Sequence, residues 1–120
     1  MSIKISNWVQ DSINSLIYLL ILEIIIKKPV YGYLIQNEIE NNIQKIFSSY
    51  TLSFSSLYTI LRKLETKLGL IKTIDCPESQ DVREKARRCY EVTKKGVQTY
   101  QSSWEDWKKF MKLLKTLDIE

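Results

Sequence analysis

Ser53 to Ile71 reads SFSSLYTILRKLETKLGLI, and the spacing of its leucines decides how the chain folds. At about 100° per residue, Leu57, Ile60, Leu61, Leu64 and Leu68 share one helical face, while Ser55, Thr59, Arg62, Lys63 and Thr66 share the other. Ser53 is placed to cap the helix, and Gly69 can take the left-handed conformation that closes it. Leu70 to Ile74 then alternates as a short strand. A helix bounded in this way buries its leucines. It exposes hydroxyls near its N-terminus and two cations behind them, a set that suits phosphate oxygens and base edges in a DNA major groove. A solvated face on a core helix carries the same pattern, so the flanking segments have to separate the two.

Toward the N-terminus, the pattern predicts a first helix from about Val9 to Ile26. Val9, Ile13, Leu16, Ile17, Leu20 and Ile24 lie on one side, and Leu19, Leu22 and Ile26 widen the apolar surface. Lys27 and Lys28 favour its C-terminal end, and Pro29 forbids its continuation. A second helix starts near Tyr31, with Leu34, Ile35, Glu38, Ile39 and Ile43 at helical spacing. Gly32, early in that helix, marks a close approach by another backbone segment. Two helices, a polar link over residues 47–52 and a third helix with a basic polar face form a helix-turn-helix arrangement.

Toward the C-terminus, Cys76 to Ala86 has the composition of a loop, and Arg87 to Val92 reads as a returning strand. Strand, charged loop and strand after such a helix make a β-wing, with Arg83, Lys85, Arg87 and Arg88 clustered at its tip and return strand. If the hairpin is symmetric about residues 82 and 83, Cys76 and Cys89 face one another and are able to pair; two free thiols are the ordinary expectation in a reducing cytoplasm. Thr93 caps a last helix from Lys94 to about Leu117. Its Val97, Tyr100, Trp104, Trp107, Met111 and Leu114 recur at alternating steps of three and four, an a/d seam of nearly three heptads. Such a seam, with Phe110 beside two tryptophans, has more apolar surface than a monomer covers, which predicts a homodimer. Leu16 and Leu20 of the first helix are assigned to the same contact.

At 120 residues the expectation is a single domain, 1–120, with a core over 9–93 and a dimerisation helix over 94–118. The fold class is mainly α with a small β component (α+β): an N-terminal helix, a helix-turn-helix, a two-stranded wing and a C-terminal helix. Residues 1–43 carry a net charge of −1, residues 44–95 of +5 and residues 96–120 of 0, so the cationic excess sits where a nucleic-acid surface belongs. No signal peptide is expected. The apolar run Leu16 to Ile26 contains Glu23 and is shorter than the roughly 20 residues a spanning helix needs, so a cytoplasmic protein without membrane association is the reading. There is no histidine and the two cysteines are far apart in sequence, so neither a metal site nor a cofactor is expected. The same lack leaves catalysis only scattered carboxylates, lysines and thiols, which argues against an enzyme.

Three blocks resemble the PadR family of bacterial and archaeal transcriptional regulators. PVYGYLI (Pro29 to Ile35) is similar to the family's Pro-x-x-Gly-Tyr block. SSLYTILRKLE with GLI (Ser55 to Glu65, Gly69 to Ile71) is similar to its recognition-helix signature. RRCYEVTKKG (Arg87 to Gly96) is similar to its closing strand and Thr-x-x-Gly turn. Cys89 stands where the family usually has an aromatic residue, and DVREKAR stands where it usually has a Gly-Pro-rich basic wing.

The resemblance implies a dimeric, repressor-like protein on double-stranded DNA, with the helix of Ser55, Tyr58, Thr59 and Arg62 in the major groove and the wing on the backbone. The candidate DNA-binding residues are therefore Ser53, Ser55, Ser56, Tyr58, Thr59, Arg62 and Lys63 on the helix, with Arg83, Lys85, Arg87 and Arg88 on the wing. A single C-terminal helix resembles the short subfamily, which implies a planar aromatic effector as a further partner at the dimer interface, near Trp104 and Trp107. A winged-helix adaptor that docks proteins is the other reading, since fold does not fix function.

Overall fold

The computed structural model describes residues 5–77 and 88–117. In chain order they form α1 (Asn7–Lys27), β1 (Val30–Tyr31), α2 (Gly32–Gln44), α3 (Phe54–Arg62), a π-helical turn (Lys63–Lys67), β2 (Ile71–Asp75), β3 (Arg88–Val92) and α4 (Lys94–Thr116). Arg83, Lys85 and Arg87, expected on the wing, lie outside the described residues.

α1 is long and apolar enough to cross a bilayer by length and composition, but its apolar side forms the floor of the core. Ile13, Ile17, Ile21 and Ile25, spaced four apart, are buried together with Leu19 and Leu22. Each fully buried isoleucine contributes about 1.5 to 3 kcal/mol. The inward face is therefore turned from the one expected: Leu16, Leu20 and Ile24 are only half-buried, whereas Ile21 and Ile25 are at its centre. Ile35 and Ile39 of α2, Leu57, Leu61 and Leu64 of the α3 segment, and Ile71 of β2 close over α1.

The two expected strands of the wing, β2 and β3, pair antiparallel, and the described residues add a third, in the order β1-β3-β2. The extra strand is the dipeptide before α2, with Val30 opposite Tyr90 and Tyr31 opposite Cys89. Two residues are too few to show alternation, and their partner lies far along the chain, so no local pattern announces them. On the other side of β3, Ile74 lies opposite Cys89 and Asp75 opposite Arg88. This register is shifted by two residues from the symmetric hairpin that would have set Cys76 directly across from Cys89. The two cysteines nonetheless form a disulfide, with Cα atoms 4.9 Å apart, in place of the free thiols expected.

The expected helix from Ser53 to Gly69 changes character at Lys63. Leu68 N–H bonds back five residues to Lys63 O at 3.1 Å, and Leu70 N–H reaches Leu64 O at 2.9 Å. A π turn takes more residues per revolution than an α turn, which rotates everything after it. Leu64 stays fully buried, but Leu68, expected on the same face, is exposed. Gly69 closes the turn at φ +66°, the left-handed conformation expected of it.

Thr93 then sets α4. Its hydroxyl accepts from Gly96 N–H at 3.0 Å and donates to Gly69 O at 2.8 Å, and its own N–H donates to Leu70 O at 2.9 Å. Gly96 is required at this turn because a Cβ there would collide with Leu70 O and stand 2.6 Å from Val92 Cγ2.

Candidate nucleic-acid interface

Three polar side chains on one stripe of α2 hold the link into α3. Gln36 Nε2 donates to Leu52 O at 2.8 Å, Glu40 Oε2 accepts from Leu52 N–H at 2.8 Å, and Gln44 Nε2 donates to Tyr50 O at 2.8 Å. Residues i, i+4 and i+8 of one helix thus replace the hydrogen bonds that an irregular segment loses on folding. The side chains of Tyr50 and Leu52 are buried beneath this ladder. Burial, with the Glu40 carboxylate nearby, pushes the Tyr50 phenol up from its ordinary value of 10.0. Gln36, Glu40 and Gln44 were not singled out from sequence; their four-residue spacing on the flank of an amphipathic helix is the signal that marks them.

With the link held, Ser53 caps α3. Its Oγ accepts from Ser56 N–H at 3.2 Å, donates to Ser56 Oγ at 2.9 Å and lies 3.2 Å from Ser55 Oγ. Opposite the buried Leu57 and Leu61, the outward row is Ser55, Thr59 and Arg62, all exposed. Thr59 Oγ1 donates to Ser55 O at 2.9 Å, which leaves its oxygen lone pairs outward. The amides at the start of α3 and the guanidinium near its end therefore bracket a strip of hydroxyls, an arrangement complementary to an anionic backbone flanking polar base edges.

Other predicted residues have more specific surroundings. The Tyr58 hydroxyl lies 3.2 Å from where a Cβ of Gly32 would stand, so the approach expected at Gly32 is made by a phenol and not by backbone. Tyr58 also neighbours Tyr90, whose phenol is pushed up by burial and then by Tyr58 and Glu65, against an opposing pull from Arg62. The Lys63 ammonium lies over the Tyr18 ring, 5.4 Å from its centroid, toward α1 and away from the outward row. Arg88 pairs with Asp75 at 3.5 Å on the surface, and Lys72 with Glu91 at 3.4 Å; exposed pairs of this kind contribute about 0 to 1 kcal/mol.

The α4 seam changes along its length. Val97 and Tyr100 are half-buried against the body of the protein, and burial, with Glu23 of α1 nearby, pushes the Tyr100 phenol up. Beyond them Trp104 is 39% exposed, Met111 42% and Leu114 51%, with Phe110, Leu113 and Leu117 also exposed, so the distal half of α4 has an apolar side that the described residues do not cover. Trp107 meets Phe110 edge-to-face at 5.6 Å. It also lines a cavity of about 330 Å³ with Tyr18, Leu19, Leu22, Lys63 and Leu68, between α1, the π turn and α4.

No curated protein is similar to the chain by sequence. Among solved structures, a transcriptional regulator from Clostridium thermocellum is 29% identical, with 94% of this chain and 97% of that one covered and a TM-score of 0.66. A PadR family transcription regulator from Clostridium difficile is 25% identical over 85% of this chain and 97% of that one, with a TM-score of 0.65. Bacillus subtilis PadR in complex with operator DNA shares the fold at 22% identity, covering 75% of this chain and 47% of that one, with a TM-score of 0.55. Residues 21–102, from the middle of α1 into α4, match the transcriptional regulator PadR-like family, to which this chain therefore belongs.

Proposed function

We propose that the chain is a sequence-specific regulator, a repressor that binds a pseudo-palindromic operator on double-stranded DNA as a homodimer in the cytoplasm. The observation that carries this reading is the outward row of Ser55, Thr59 and Arg62 on a capped helix held in place by Gln36, Glu40 and Gln44. A surface meant only to dock proteins has no need of hydroxyls and a guanidinium aligned along the exposed ridge of a locked helix. The family supports it, since it is one of transcriptional regulators, and one structural relative was solved on operator DNA. The body of the protein presents that helix, and α4 joins two copies through its uncovered side. The cavity beside Trp107 is large enough for a planar aromatic effector, within the range of about 300 to 1,000 Å³ typical of ligand sites.

Selection of bound sites from randomised duplexes, followed by titrations at several salt concentrations, tests the DNA reading. Arg62→Ala should cost about 1 to 3 kcal/mol and relax preference at one base pair per half-site if the guanidinium meets a base. If it meets a phosphate, all sequences should weaken alike and the salt slope of the dimer should fall by roughly two. Cognate binding unchanged in both Arg62→Ala and Thr59→Ala would move the contact off this row of α3, and a pool that yields no selected duplex would leave the adaptor as the reading. The dimer is tested by sedimentation of Met111→Glu/Leu114→Glu: both residues are exposed within the protomer, so a folded monomer is expected.

A further inference from the structure

α3 begins with an aromatic residue that the outward row does not include. Phe54 occupies the first helical position after the Ser53 cap and is 39% exposed, although Leu57, Leu61 and Leu64 of the same segment are buried. It is the middle member of a chain of three exposed rings. Tyr33 of α2 stacks on it at 5.9 Å between centroids with planes 22° apart, and Tyr58 stacks on it at 6.1 Å with planes 28° apart. Tyr33 and Tyr58 are 51% and 44% exposed. Tyr58 in turn occupies the space beside Gly32, its hydroxyl 3.2 Å from where a Cβ there would stand. A large apolar side chain that is exposed and yet held by stacking is oriented before any partner arrives, so little rotational freedom is lost when it is covered.

We infer that Phe54 reads thymine, its ring taking the C5-methyl group of one thymine per half-site in the major groove. This rests on the DNA-binding reading above. Residues at the N-terminal end of a recognition helix are the ones that reach base edges, and Phe54 stands there beside Ser55. Phenylalanine offers no hydrogen-bond donor or acceptor. The one apolar group that a B-form major groove presents is the thymine methyl. Ser55, Thr59 and Arg62 supply polar contacts on one side of the helix, and the aromatic chain supplies an apolar edge on the side toward α2.

The test uses the full chain and the duplex it selects from a randomised pool, with thymines replaced one at a time by deoxyuridine, which removes only the C5-methyl group. Wild-type affinity should fall by about fourfold per half-site at one symmetric position, the value of burying one methyl group, and stay level at the others. Phe54→Ala should bind the thymine and deoxyuridine duplexes equally, while Phe54→Leu, which keeps an apolar contact, should retain part of the discrimination. Indifference of the wild type to every replacement overturns the inference and needs no variant to fold. A Phe54→Ala protein that still shows the full deoxyuridine penalty, or a selected half-site without thymine, overturns it as well. Selection of no duplex at all is a separate result, which removes the DNA-binding reading and this inference with it.

Discussion

The carboxylate of Glu65 accepts two hydrogen bonds from Thr73, one from its amide at 2.8 Å and one from its hydroxyl at 3.0 Å. Glu65 belongs to the π turn that follows α3, and Thr73 is the middle residue of the edge strand β2. One side chain therefore joins the helix to the wing and satisfies an amide on the outer side of the sheet. Glu65→Ala leaves that amide without its acceptor and should destabilise the fold by about 1.5 to 3 kcal/mol, whereas Glu65→Gln keeps an acceptor and should lose less. Urea midpoints of the two variants measure the difference. An alanine variant as stable as the wild type would show that the joint is ornamental.

Gly96 and Gly69 are needed for different reasons, and substitutions separate them. At Gly96 the obstacle is Leu70 O and the Val92 side chain, so Gly96→Ala should reach or exceed the upper end of the roughly 1 to 3 kcal/mol typical of overpacking. At Gly69 nothing among the described residues lies within 4 Å of a new Cβ, and the penalty is φ +66°. Gly69→Ala should then cost about 1 to 2 kcal/mol, and Gly69→Asn less, because asparagine tolerates that conformation. Asparagine at 96 should be at least as harmful as alanine. Thermal melts of the four variants give the order.

The Cys76–Cys89 disulfide ties the end of β2 to β3 across a sequence separation of 13. Thiol titration of denatured, unreduced protein should detect no free thiol. In the chain-entropy picture, a closed loop near that size contributes about 3 kcal/mol, so Cys76→Ser should lower stability by that order and a reductant should bring the wild type down to the same value. Two titratable thiols in the native preparation would dispose of the bond.

Tyr50 predicts a response to alkaline pH. Its phenol is neutral in the fold and held above 10.0 by burial and then by Glu40. Because the folded value is raised, the unfolded chain releases this proton first. The contribution to stability is therefore complete below pH 10.0 and is lost as the pH climbs through the folded value. Tyr50→Phe removes that dependence. Denaturation curves at neutral pH and above pH 10 should show a smaller alkaline loss in the variant than in the wild type. Equal losses would mean that Tyr50 does not titrate differently in the two states.

Local chemistry was legible in the residues alone. Ser53, Gly69 and Thr93 act on amides and dihedrals within a few positions of themselves, so their spacing against the leucines located the start of α3, the close of the turn that follows it and the start of α4. The outward row of Ser55, Thr59 and Arg62 was legible for the same reason, because a single helix has only one side opposite its leucines. Relations between distant segments were not. Most of the circumference of α1 is apolar, so its own pattern does not distinguish Leu16 and Leu20 from Ile21 and Ile25; the elements packed on it make that choice. β1 exists only because β3 pairs with it, and the π turn that turned Leu68 outward leaves no mark in composition. Whether Lys63 faces outward or lies over Tyr18, and whether Phe54 is buried or held in a chain of rings, depends on where α1 and α2 stand relative to α3. Caps and turns are decided by neighbours in sequence, which the chain carries with it, whereas facing partners are decided by packing, which exists only once the helices have met.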